Sequence, residues 1–435
     1  MTTSSAAVSF PGPADVAQWP DVAVVPAASR ARITVTRRLF VTATNRIPLA
    51  VHWPDGSVTG GAAGDPDAPV FVLNRPDAFF ARLGSTGTIG FGEAYMAGDW
   101  TDDGSPTGLA DVMTAFAGKV ATLVPPLLQH LRRQMLAVMP ASHDNDITGA
   151  RANISHHYDL SNDLFSLFLD PTMTYSSALF DGDPYTTDEP LVTAQAHKVE
   201  SLLDGVGVGP GTRVLEIGTG WGELALRAAT RGAEVTTVTI STEQAELAGR
   251  RVLEAGVADR VDIRLQDYRE VRGRFDAVVS VEMIEAVGAN HWPEYFGALG
   301  SLTAPGGRVG IQAITMPDDR MRASRDTYTW IRKYIFPGGQ IPSVESIKAS
   351  VAEHTDLHPV RQTMFGAHYA ATLARWRSTF EAAADKVRTL GFDETFSRMW
   401  SLYLAYSEAG FRTGYLDVGQ FVWARPGTPS LLPAH

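Results

Sequence analysis

The stretch Val214-Leu-Glu-Ile-Gly-Thr-Gly-Trp-Gly-Glu-Leu-Ala-Leu-Arg-Ala-Ala229 decides the fold. Val214, Leu215 and Ile217 form a short apolar run, as a parallel strand covered on both faces requires. Gly218, Gly220 and Gly222 follow at every second position, and Leu224, Ala225, Ala228 and Ala229 then keep helical spacing. A buried strand, a glycine turn and a helix start a nucleotide-binding α/β unit. Three ligands compete for such a turn: a dinucleotide, a mononucleotide and S-adenosylmethionine. The dinucleotide fingerprint G-x-G-x-x-G would place its third glycine at Glu223. A pyrophosphate on the helix N-terminus gains nothing from that carboxylate. Glu216, late in the strand, is acidic too. Acid on both sides of the turn suits a ligand with positive charge, and S-adenosylmethionine carries a sulfonium, an ammonium and no phosphate.

The following segments continue the alternation. Glu234–Gln244 (EVTTVTISTEQ) reads as a second strand and a helix start capped by Ser241 or Thr242. About twenty residues past the glycines, where a ribose-binding carboxylate is expected, stand Thr239 and Ile240, with Gln244 one turn on. Arg260–Tyr268 reads as a third strand ending in Asp267, a candidate acceptor for an adenine amino group. Phe275–Gly288 is a fourth strand running into a loop with two carboxylates, Glu282 and Glu285. Polar residues at strand ends mark the ligand side of an open α/β sheet, and Glu216, Ile240 and Glu282, at those ends, are candidate cofactor contacts. The fold class expected is α/β, Rossmann-like with a mostly parallel sheet, plus a smaller N-terminal α+β domain.

A net charge of −11 argues against a general nucleic-acid binder. No run of eighteen apolar residues offers a membrane span. The first twenty residues lack a basic n-region and an apolar core, so a signal peptide is not expected and the cytoplasm is the default. With no cysteine, disulfides and a cysteine nucleophile are excluded. His156, His157 and His291 have no partners at ligand spacing, so no metal is expected.

Residues 1–29 are expected to be loosely ordered. Residues 30–139 form the N-terminal lipid-associated α+β domain, with strand-like runs through RITVTRRLFVTATNRIPLAV, a turn at Pro54–Gly56 and a helix from Pro76. Residues 140–156 are polar and turn-rich and read as a linker. Residues 157–435 form the cofactor domain, interrupted at about 316–343 by a segment placed where a substrate lid belongs. Within it, Tyr328, Ile331 and Ile335 share one helical face, either plain core or the wall of an acyl channel. Phe396, Met399, Tyr403 and Tyr406 form a similar stripe, read as core or as the interface of a homo-oligomer.

Several separated motifs occur in order: HYDLSNDLFSLFLDPTMTYSSALF (157–180), VLEIGTGWG, EMIEAVG, KYIFPGGQIPS, HYAATLARW (368–376) and SEAGFRTGYLDVGQF (407–421), with GFGEAYMAGDW in the N-terminal part. Together they resemble the cyclopropane-fatty-acid synthase family over about residues 75–423, and VLEIGTGWGEL, VEMIEAVG and QAITMP are most similar to its actinobacterial branch. The resemblance implies a class I methyltransferase domain with a seven-stranded sheet. It implies methylation of oleoyl chains of phospholipids to a 10-methylene product, which a flavin-dependent reductase partner converts to 10-methylstearate. It implies cofactor contacts at Tyr175, Ser176, Gly218, Gly220, Gly222, Thr239, Gln244 and Asp267. It also implies a bicarbonate beside the reacting alkene, held at Ser177, Glu285, Gln312, Ile314 and Tyr369. Two of these positions differ from the family pattern: Ser177 replaces a cysteine and Gln312 a histidine. The swap to Gln312 keeps hydrogen bonding and loses a group that titrates near neutral pH. A cyclopropane product is the alternative, and a non-catalytic lipid binder the second.

An isolated alkene is a weak nucleophile, so positioning against the sulfonium methyl supplies much of the rate. The resulting cation must be stabilised and then lose a proton. Glu285 is the expected base, directly or through bicarbonate, and Tyr369 offers a hydroxyl and a π face. A lipid substrate implies peripheral contact with the inner face of the cell membrane. Arg30, Arg32, Arg37, Arg38, Arg132 and Arg133 are the candidate basic patches for anionic headgroups.

Overall fold

The computed structural model describes residues 14–119, 161–325 and 327–427. Residues 140–156, Arg132, Arg133, His156 and His157 lie outside the described residues, as does most of 1–29. The chain divides into two compact units. One comprises Met1–Ala137, Tyr328–Tyr334 and Arg377–Ala409; the other comprises Val138–Thr327, Ile335–Trp376 and Gly410–His435.

The first unit holds a four-stranded sheet ordered β2-β1-β3-β4, with β1 Ala50–His52, β2 Val58–Thr59, β3 Val70–Leu73 and β4 Trp100–Thr101. The Pro54–Gly56 turn links β1 to β2: Gly56 takes φ 81° and its N–H donates to the Trp53 carbonyl at 3.0 Å. The segment Arg30–Thr44, expected to contain strand-like runs, is instead one helix. Its Val and Thr residues favour strands locally. However, Ser29 caps the first turn by accepting from the Arg32 N–H, and Phe40 is buried against Phe71, Phe79 and Phe80. Packing of that face overrides the propensity.

Within the same unit the helix Trp330–Tyr334 lies on the helix Thr88–Met96, where a Cβ added at Gly92 would sit 2.3 Å from the Trp330 ring. Buried Glu93 accepts from Lys333 Nζ at 2.6 Å and from the Tyr334 hydroxyl at 2.9 Å. The expected stripe of Tyr328, Ile331 and Ile335 is not formed on one helix. The helix has only five residues, with Tyr328 before it and Ile335 after it. Phe336 and then Pro337, Gly338 and Gly339 follow Ile335, and the Pro-Gly-Gly run cannot extend the helix. On the helix Glu394–Arg412, Phe396, Met399 and Tyr403 are buried and Tyr406 is exposed.

The second unit is built on a seven-stranded sheet ordered β10-β11-β9-β8-β5-β6-β7. The strands are β5 Arg213–Ile217, β6 Glu234–Thr239, β7 Val261–Leu265, β8 Phe275–Val281, β9 Thr303–Thr315, β10 His358–Met364 and β11 Asp417–Ala424. β7, β6, β5, β8 and β9 run parallel, while β11 is antiparallel to β9 and to β10. Neighbouring residues of the central strands enter opposite cores. Leu215, Val278 and Phe421 join one cluster, and Val214, Val279 and Val422 join the other. Both faces are covered, which is why these strands read as unbroken apolar runs.

Candidate active site

The glycine turn connects β5 to the helix Glu223–Thr230, and Gly218, Gly220 and Gly222 take φ of 94°, 50° and 89°. L-residues with side chains rarely adopt this region. No atom lies within 4 Å of a Cβ added at Gly220, so backbone there is open to a ligand. Gly222 has a different task. A Cβ there would sit 2.9 Å from Ala248 Cβ, so its absence lets the helix Thr242–Glu254 pack close.

A cleft opens over the carboxyl ends of β5, β6 and β8. Tyr175, Ser176, Glu216, Gly218, Gly220, Thr239, Ile240, Gln244, Asp267 and Glu282 all line it. Of the expected cofactor residues, Gly222 alone lies outside the lining. Thr239 Oγ1 donates to Gln244 Oε1 at 2.8 Å, which ties the end of β6 to the following helix. The Tyr175 ring stacks on Trp376 at 5.4 Å. Asp267 forms a salt bridge with Arg269 at 2.7 Å. Glu223 is held by Arg227 and Arg251, each at 2.6 Å, so both of these cations at the helix N-terminus serve a protein carboxylate.

Two titratable groups at the floor are shifted by burial. Glu216 accepts from the Thr237 hydroxyl at 2.6 Å, and burial pushes its carboxyl up to about 8. Lys198, on the helix Leu191–Val206, is 1% exposed and donates to Ser176 Oγ at 2.6 Å. Burial draws its ammonium down to about 8, against the pull of Glu282, Asp170, Glu223 and Glu216. Lys198 does not stand out in the sequence as a site residue. Its only signal there is a lone lysine in the apolar pattern of LVTAQAHKVESLLDGV.

Glu282 and Glu285 stand just beyond β8. Glu282 accepts three hydrogen bonds: from the Ser177 N–H at 2.9 Å and Gln312 Nε2 at 2.8 Å on Oε1, and from the Tyr369 hydroxyl at 2.8 Å on Oε2. Burial raises its pKa; the three donors and Lys198 oppose that rise. Glu285 Oε1 accepts from the Ile314 N–H at 2.5 Å, and its Oε2 is buried without a hydrogen-bond partner. Burial, then the charge of Glu282, pushes Glu285 up to about 8. Ser177, Gln312 and Tyr369 thus converge on Glu282, and Ile314 meets Glu285. Of this group only Glu282 lines the cleft itself.

The glycine turn leaves backbone at Gly220 open to a ligand, and the buried Lys198 ammonium beside Ser176 places a cation at the same cleft, where a ligand carboxylate would meet it. The sheet order and the cleft at the carboxyl ends of its parallel strands define a class I methyltransferase fold. The coclaurine N-methyltransferase shares that fold at 16% identity with a TM-score of 0.57, covering 74% of this chain and 95% of its own. Residues 145–421 match the mycolic acid cyclopropane synthetase family. The tuberculostearic acid methyltransferase UfaA1 of Mycobacterium tuberculosis is 51% identical over 95% of this chain and 97% of its own length. The cyclopropane-fatty-acyl-phospholipid synthase of Escherichia coli is 34% identical over 84% of this chain and 90% of its own. The chain belongs to the mycolic acid cyclopropane synthetase family.

Proposed function

We propose that this protein transfers a methyl group from S-adenosylmethionine to the double bond of an oleoyl chain in a membrane phospholipid, giving a 10-methylene chain. The observation that carries the reading is the pair of carboxyl groups, Glu282 and Glu285, beside a cleft that opens over the glycine turn, with Glu282 bonded to the Tyr369 hydroxyl. The 51% identity to a tuberculostearic acid methyltransferase supports the lipid and the branched product.

Tyr175, Ser176, Gly218 and Gly220 would hold the cofactor's methionine end, with Thr239, Ile240, Gln244 and Asp267 around its nucleoside. When bound, the cofactor supplies an electrophilic methyl group. The residues then have three tasks. They hold the alkene in line, which turns a slow bimolecular step into a positioned one. They shield the cation that forms on the chain: the Tyr369 ring, packed on Phe411 at 4.6 Å, offers a π face. They take a proton from the new methyl group, a task for the carboxylate pair.

The lipid is reached at a membrane surface. No helix among the described residues is long and apolar enough to cross one. The helix Arg30–Thr44 presents Arg30, Arg32, Arg37 and Arg38 to solvent together with exposed Val35 and Leu39, a composition suited to anionic headgroups at the inner face of the cell membrane. A flavin-dependent reductase acting on the methylene product, and self-association, complete the proposed partners.

The test is mass spectrometry of dioleoyl phospholipid vesicles after incubation with the protein and S-adenosylmethionine, with the added carbon located by ozonolysis. A gain of CH2 as an exocyclic methylene at carbon 10 is the expected result. A cyclopropane would overturn the product, and no added mass would overturn the activity.

A further inference from the structure

Four of the five positions expected to hold a bicarbonate ion are hydrogen-bond donors, and the protein's own carboxyl groups engage all four. Ser177 N–H, Gln312 Nε2 and the Tyr369 hydroxyl donate to Glu282, and Ile314 N–H donates to Glu285. The fifth position, Glu285, is itself a carboxyl. A bicarbonate entering here would meet two carboxyl groups and donors already in use. The residues present do not fit the ion.

We propose that Glu282 replaces bicarbonate as a built-in base, so that this enzyme removes the proton with its own side chain. The inference rests on the methyl-transfer reading above.

Three further observations support it. The first is polarity. A guanidinium can only donate, and Arg361 Nη2 lies 3.3 Å from Gln420 Oε1, which also accepts from Ser201 Oγ at 3.0 Å. The Gln420 amide nitrogen must therefore face the other way. It donates to the Lys198 carbonyl at 2.8 Å and to Gln312 Oε1 at 3.3 Å. Gln312 is left with its NH2 turned toward Glu282. The chain Arg361–Gln420–Gln312 thus fixes a donor on Glu282 and favours its charged form.

The second observation is the backbone. Glu282 has φ 49°, the left-handed region that glycine enters without steric cost. A carboxylate stands at this position despite the strain. The third is place: Glu282 lines the cofactor cleft and Glu285 does not.

The step balances without an outside reactant. The alkene π pair forms the new C–C bond to the methyl carbon as the S–CH3 bond breaks toward sulfur. A hydride shifts along the chain to the first cation centre. The carboxylate of Glu282 then takes a proton from the methyl group, and that C–H pair becomes the exocyclic double bond. The proton later leaves to solvent.

The experiment uses the full chain with dioleoyl phosphatidylglycerol vesicles and S-adenosylmethionine, in buffer stripped of carbon dioxide, with and without sodium bicarbonate. Wild-type turnover should be the same in both. E282G, which relieves the strained φ, should lose about 100-fold or more in turnover while binding S-adenosylhomocysteine normally. It should regain rate when bicarbonate is added, because the three donors are then open. E282Q keeps the side-chain volume and should show the same loss, which covers a folding failure of E282G. In parallel, calorimetric titration of bicarbonate into protein loaded with S-adenosylhomocysteine should give binding to E282G and none to wild type. Bicarbonate stimulation of wild-type turnover, bicarbonate binding to wild type, or full activity of E282G restored by excess cofactor alone would each overturn the proposal. If wild type makes no product at all, the methyl-transfer reading fails, and the titration still decides whether Glu282 fills the anion site.

Discussion

Glu285 should make the stability of this protein fall as pH rises, and E285Q should remove that dependence. The carboxyl is pushed up to about 8 from an ordinary 4.5, first by burial and then by the neighbouring charge of Glu282. For an acid raised in the folded state, the stabilising contribution is fully present below the unfolded pKa. It is lost as pH rises through the folded pKa, since the unfolded chain ionises first. Between pH 6.5 and 9, linkage with these two pKa values gives a loss of about 2 kcal/mol. Glutamine does not titrate, and Glu216, raised in the same direction, is present in both proteins and cancels. Any fixed cost of placing an amide where Oε2 is buried without a partner also cancels in the comparison. The readout is the difference in thermal midpoint between E285Q and wild type at the two pH values, both without cofactor. That difference should move in favour of E285Q by about 2–4 °C on going to pH 9. A difference that is the same at both pH values would refute the reasoning and place Glu285 in the ordinary carboxylate range.

Q420L should free Gln312 to rotate and reduce turnover about 10-fold, the equivalent of one hydrogen bond, with S-adenosylhomocysteine affinity nearly unchanged by calorimetry; loss of affinity instead would move Gln420 to a cofactor role. G222A combines a Cβ 2.9 Å from Ala248 with φ 89°, and should cost about 2–4 kcal/mol of stability in urea titration. R377M leaves buried Glu408 without its 3.1 Å partner and should cost about 3–5 kcal/mol, with R377M/E408L recovering much of the loss. If the double variant is no more stable than R377M, the buried charge is not the cause.

The helix Arg30–Thr44 shows where reading the chain locally fails. Its Val and Thr residues suggest strand, and the Ser29 cap with the burial of Phe40 against Phe71, Phe79 and Phe80 makes it a helix. The stripe of Tyr328, Ile331 and Ile335 fails for the opposite reason. Its spacing is helical, but the helix is stopped after five residues by the Phe-Pro-Gly-Gly that follows Ile335. The central strands were legible because burial on both faces leaves an apolar run that neighbouring residues cannot disguise. The glycine turn was legible because positive φ at successive positions restricts the residue type. Lys198 left almost no trace, since one lysine in a helix looks the same whether it faces solvent or a cofactor floor.

The sequence alone determined the strand–turn–helix order and the class of ligand expected at the glycine turn, which follow from local periodicity, backbone restrictions and the charge beside the turn. It pointed to Ser177, Glu285, Gln312, Ile314 and Tyr369 only through the resemblance of separated motifs to a known family. Only the tertiary structure decided what those residues do to one another. Ser177, Gln312 and Tyr369 are 105, 30 and 87 residues from Glu282 along the chain. Their convergence depends on β9 lying beside β8, and on β11 lying antiparallel beside β9 to set Gln420 opposite Gln312. A carboxylate that reads as a cofactor contact in one dimension becomes, in three, the acceptor of every donor turned toward it. Strand order and packing fix those directions, and no local pattern encodes them.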